Sequence, residues 1–81
     1  MSGADQLSGM TLPSRIKIHT LKHLERIGRA ADKQGALLAV ERAEGFVEGL
    51  EVSGALNPGT IEALYIAVDG MATERLAELD R

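Results

Sequence analysis

From residue 36 onward the apolar side chains recur at helical intervals on either side of one stop-and-start signal, Ser53-Gly54-Ala55-Leu56-Asn57-Pro58. Ahead of it, Ala36, Val40, Ala43, Val47 and Leu50 alternate spacings of four and three residues, which lays them in one seam along a helix over residues 36–52. Ala39 and Phe46 widen that seam. Behind the signal, Ile61, Leu64, Tyr65, Val68, Met71, Ala72, Leu76 and Leu79 share a stripe of a helix over residues 58–79. Gly54 suits the left-handed turn that ends a helix, Asn57 suits the cap of the next, and Pro58 loses nothing at a first helical position. Leu56 is placed to pack on Ile61 as a hydrophobic staple. Two helices with so short a link form an antiparallel hairpin.

A further helix is predicted over residues 13–33. Leu12, Ile16, Thr20, Leu21, Leu24, Ile27, Ala30 and Ala31 make one broad apolar face there, and Gly35 is the expected stop. A helix running on through Gly35 into the next one is the alternative. Residues 1–11 carry no periodicity and read as a flexible tail. No segment alternates as a strand does. The pattern therefore predicts an all-α chain of one domain over residues 12–81, a three-helix bundle made of the hairpin and a crossing helix.

Such a bundle has little to fill its core. The 81 residues include one Phe, one Tyr, no Trp and no Cys. Alanine buries little area, and neither a disulfide nor a thiolate metal site can add to the stability. Small chains in this position commonly oligomerise, so a homo-oligomer, a dimer, is expected. Gly45 and Gly49 stand one turn apart with Leu38 beside them. They are expected to admit a close helix, from the bundle or from a second subunit. With Val40, Ala43, Val47 and Leu50 they form the expected packing or oligomer seam. Gly70 finds no reason in the sequence.

Charge is sorted by segment. Residues 13–33 hold six basic residues against two acidic ones, and residues 34–81 hold three against nine; with Asp5 the net charge is −3 overall. Arg15, Lys22, Arg26, Arg29 and Lys33 gather on one side of the first predicted helix, away from much of its apolar face. Glu41, Glu44, Glu48 and Glu51 line the second beside its seam. The basic face either pairs with this acidic stripe, within the bundle or across a dimer, or meets an external acidic partner or phosphates. Pairing is the expectation.

No constellation for chemistry is present, so no catalytic residue, metal ligand or cofactor is assigned. His19 and His23 are one turn apart but lack the Glu of a zinc-peptidase helix and any Cys to complete a site. No nucleophile elbow and no phosphate-binding glycine loop occurs. Ala31 and Gly35 have the spacing of a helix-turn-helix turn, yet the apolar position that should follow falls on Glu41. Glu41, Glu44 and Glu48 would also repel phosphates. No signal peptide is recognised in residues 1–11 and no run reaches membrane-spanning length, so the expected location is cytoplasmic, with no membrane.

The stretch from Glu41 to Pro58, Glu-Arg-Ala-Glu-Gly-Phe-Val-Glu-Gly-Leu-Glu-Val-Ser-Gly-Ala-Leu-Asn-Pro, followed by Ile61-Glu-Ala-Leu-Tyr65, resembles small helical accessory proteins of plasmids, phages and integrative elements. That resemblance implies a non-catalytic binder of host or element-encoded machinery and carries over no site residue. The expected function is a non-enzymatic protein-interaction module, an accessory, regulatory or inhibitor protein of a mobile genetic element. The alternative is a nucleic-acid-binding accessory protein using the basic face of the first helix.

Overall fold

A computed structural model describes residues 3–81 of the chain. Among them are four helices and no strand: α1 (Gly3–Gln6), α2 (Ser14–Gly28), α3 (Lys33–Ser53) and α4 (Pro58–Leu79). The longest two, α3 and α4, pack along one another across the link 54–57, and α2 lies against both. The whole measures 38 × 22 × 19 Å.

The link is built as its residues dictate. Gly54 takes φ +72°, where a Cβ would be strained, and its N–H donates to the Glu51 carbonyl while Ala55 N–H donates to Leu50 O. The Asn57 Oδ1 accepts from Thr60 N–H at 2.8 Å, and Pro58 opens α4. Both bounds of α4 match the predicted helix.

The α2–α3 junction differs from the prediction. Helix α2 ends at Gly28, five residues early, and α3 begins at Lys33, three residues early. The two are separate helices, and Gly35 lies inside α3 rather than ending α2. Asp32 is the reason on the α3 side: it stands in extended backbone and its Oδ1 accepts from Gly35 N–H at 2.7 Å, capping a new helix. On the α2 side the reason is tertiary. Arg75, forty-five residues away on α4, donates from Nε (2.9 Å) and Nη2 (2.7 Å) to the carbonyl of Ala30, holding that oxygen outside any helix. Gly28 lets α2 end close against α4, because a Cβ there would sit 3.0 Å from Met71 Cε. Ala31, counted on the apolar face, is consequently exposed in the turn.

The N-terminal segment also departs from expectation. Met1 and Ser2 lie outside the described residues, but the rest of the predicted tail packs on the bundle. Leu7 is 4% exposed and belongs to the core, with Met10 and Leu12 packed against it. Helix α1 rests on α2 and α4. Glycines make room for it: a Cβ on Gly3 would sit 3.0 Å from Leu24 Cβ, and one on Gly70 would sit 2.8 Å from the Gln6 side chain. Gly70 thus has its explanation in a contact with a segment 64 residues earlier in the chain. The bundle has three long helices, as predicted, and a fourth short one.

Leu24, Ile27 and Leu64 are fully buried at the centre, with Val47 beside them. Of the predicted seam, Ala36, Ala43 and Val47 are buried, while Val40 and Leu50 are half-buried and pack against the core from its edge. Thr20, the one buried polar residue among the described residues, satisfies its hydroxyl by donating to Ile16 O at 2.7 Å. Among the described residues no helix is long and apolar enough to cross a membrane.

Candidate protein-binding groove

On α4, Leu64, Met71 and Arg75 are turned toward the core and α2. At 100° per residue, Glu62, Ile66 and Asp69 fall on the far side of the same helix. There they form, with Pro58, Ile61 and Tyr65 of α4 and Glu51 of α3, an open groove of about 360 Å³. Its floor is apolar. Ile66 is 63% exposed, on a helix whose other large aliphatic side chains are buried or half-buried. Its rim is acidic, since Glu51, Glu62 and Asp69 line it and no basic residue does.

The predicted acidic stripe adds to this rim. Glu41, Glu44, Glu48 and Glu51 are all exposed on α3. The phenol of Tyr65 is held above its ordinary pKa of 10.0, first by its partial burial and then by Glu51, Glu48 and Glu44 in turn. Three members of the stripe therefore act on the groove's one aromatic ring. Tyr65 packs against the core, as its place on the α4 stripe predicts, and lines the groove as well, a second role that periodicity does not show. The available signal was Ile66, an apolar residue off the α4 stripe between Glu62 and Asp69.

The basic residues stand elsewhere. Arg15, Lys22 and Arg26 are exposed on α2, and Arg29 is exposed at its C-terminal cap. Among the described residues none of Arg15, Lys22 and Arg26 has a carboxylate within 4.0 Å, and Arg29, at the C-terminal cap, meets only Glu25 of α2 at 3.8 Å. Lys33 does not belong to this face: it is the first residue of α3 and pairs with Asp80. Pairing of the basic face with the acidic stripe inside one bundle is thus not made. Helix α2 packs on α3 through the other side, where His23 lies 4.9 Å from Phe46, centroid to centroid, and the stripe points away from it.

Gly45 and Gly49 do not serve the expected close approach within the chain. Both are exposed, and a Cβ on either would meet nothing within 4 Å. Near the start of the same helix Leu37 and Leu38 are also exposed, beside a shallower hollow of about 250 Å³ shared with Gln34 and Glu41.

His19 and His23 both face Phe46. His23 is half-buried, its Nδ1 is buried without a hydrogen-bond partner among the described residues, and its pKa is lowered from 6.5 by burial first, then by Arg26 and His19. Among the described residues no group of three or more His, Asp or Glu side chains is placed to hold a metal ion. The lowered pKa has a consequence for stability. Below about pH 6.5 the unfolded chain takes up a proton that folded His23 resists, so stability falls as pH drops through this window and levels off below the folded pKa. Above it, His23 contributes no slope. Thermal melts from pH 7.5 to 5 (approximate bounds set by that window) should show the decline in the native chain and a shallower one in His23→Gln. Equal slopes would assign the decline to other groups.

The chain matches no protein-family model, no curated protein and no solved structure.

Proposed function

We propose that the protein is a non-enzymatic protein-interaction module whose binding face is the α3–α4 groove, and that the groove takes a basic amphipathic helical segment. The observation that carries this is the pairing of an apolar floor, half-buried Tyr65 and exposed Ile66, with a rim of carboxylates and no basic residue lining it. An amphipathic helix lays its apolar side in such a groove, and its flanking Lys and Arg side chains meet the rim. Charge complementarity of this kind sets association rate and selectivity more than total affinity. The reading agrees with the resemblance to accessory proteins of mobile elements, acting as regulator or inhibitor of a protein that presents a basic helix in the cytoplasm.

The exposed, largely unpaired basic face of α2 favours a second reading, contact with nucleic acid. One titration separates the two. Tyr65 is the only tyrosine and there is no Trp, so its fluorescence reports on the groove directly. A designed Lys/Leu amphipathic peptide of α2's length should change Tyr65 emission and bind the native chain. Binding should weaken about tenfold or more in Glu51→Lys with Asp69→Lys. Duplex DNA should leave the emission unchanged and bind only weakly, with affinity falling steeply as salt rises. Peptide binding that ignores the groove variant would defeat the groove reading, and tight, salt-tolerant DNA binding would promote the second one.

A further inference from the structure

The chain itself carries a helix of the chemistry the groove asks for. Helix α2 buries Thr20, Leu24 and Ile27 and turns Ile18 outward, 53% exposed. Arg15 lies three residues before Ile18 and Lys22 four after it, so both flank it on the same side of the helix, with Arg29 further along. Glu25 also lies on this side but is taken up by Arg29 at 3.8 Å, so around Ile18 the unpaired charges are the cations Arg15 and Lys22, while the groove is an apolar floor set among carboxylates. The run from Arg15 to Lys22 is about 10 Å long, within the roughly 16 Å from Pro58 to Asp69.

The two surfaces cannot meet within one molecule. On α4, Ile66 lies roughly 140–160° around the helix from Leu64 and Met71, which face the core and α2. Groove and basic face look in different directions, so only a second copy can bring them together.

Resting on the groove reading, we infer that the outward face of α2 in one copy docks in the α3–α4 groove of the next. The contact is heterologous. Each added copy leaves one groove and one basic face free, so the assembly does not stop at a two-fold dimer and grows with concentration into a ring or a filament. The dimer expected from the sequence is its first step. Its formation is electrostatic in large part, and salt that shortens the Debye length to about 3 Å, near 1 M, disperses it.

Sedimentation velocity on the full chain and two variants tests this. The first variant, Arg15→Gln with Ile18→Gln and Lys22→Gln, blunts the α2 face with a good helix former. The second, Glu51→Lys with Asp69→Lys, turns the groove basic. All five positions are exposed or at the groove rim, and circular dichroism checks the fold; Lys22→Gln and Asp69→Lys alone serve if a multiple variant does not fold. The native chain should sediment beyond a dimer as concentration rises at low salt and return to monomer at high salt. Each variant alone should stay monomeric. Mixed, they should form one heterodimer that grows no further, because the first retains a native groove and the second a native α2 face. A native chain that stays monomeric, a dimer that survives both variants, or a mixture that stays monomeric would overturn the inference. If the native chain is monomeric and still binds the Lys/Leu peptide, the self-docking falls and the groove reading stands; if it binds no peptide, both fall.

Discussion

Leu24→Ala is expected to remove a large share of the stability of the fold, more than any other substitution considered. Leu24 has no exposed surface and sits where α2 meets both the core and α1, in contact range of Gly3. Truncating a leucine in such a site costs about 2.7–5 kcal/mol, from lost transfer energy and the cavity left behind. A chain of this size has roughly 4–12 kcal/mol in total. The melting temperature should therefore fall by some 10 °C at the least, at roughly 4–8 °C per kcal/mol for a domain of this size. Leu50→Ala, in the half-buried part of the predicted seam, should cost distinctly less. Were Leu50→Ala the more damaging of the two, the centre of the core would lie in the α3–α4 seam and not at the α2 junction.

Arg75→Leu should have the next largest effect. Two guanidinium N–H groups converge on the Ala30 carbonyl, and Nη1 lies 3.5 Å from Glu78 Oε1. Hydrogen bonds from a charged group contribute about 1.5–3 kcal/mol, and the part-buried carbonyl left behind would have no other donor. The Glu78 pair is more exposed and adds little. What is lost is local in kind: the turn between α2 and α3 would no longer be tied to α4. Melting should drop by roughly 6 °C or more, and amide exchange should quicken first at residues 28–33, before the α3–α4 pair loosens. Arg75→Lys keeps the charge but not the fork of donors, so it should recover only part of the loss. A Lys variant as stable as the native chain would show that charge alone matters at this position. Unchanged exchange in the turn of Arg75→Leu would show that Asp32 capping holds it unaided.

Leu24 and Arg75 both join α2 to the remainder, the part of the fold least legible in the amino-acid sequence. Helix α4 was legible to the residue because Asn57, Pro58 and Gly54 act through their own backbone neighbours. The α3 seam was legible as a pattern, but not which members lie deepest, since depth depends on what covers each position. Asp32 was readable in principle as a cap; Gly35 and the basic run ahead of it masked the signal. The groove is half legible: the spacing of Glu44, Glu48 and Glu51 sets them on one exposed side of α3, whereas the double role of Tyr65, against the core and along the groove, and the exposure of Ile66 depend on what neighbours α4.

What the amino-acid order determined by itself, then, is everything set within about four residues: three long amphipathic helices, the left-handed turn at Gly54, the cap at Asn57, and the separation of positive from negative charge along the chain. Hydrogen-bonding and rotamer preferences at that range do not need to know where the rest of the molecule lies. Only the tertiary structure decided that α2 stops at Gly28, that Leu7 and the N-terminal segment join the core, that Gly70 makes room for Gln6, and that the basic and acidic faces point apart. Each of these rests on groups tens of residues distant, Arg75 with Ala30, Gly70 with Gln6, Met71 with Gly28. Their meeting follows from how three helices share one small core, which no local pattern encodes.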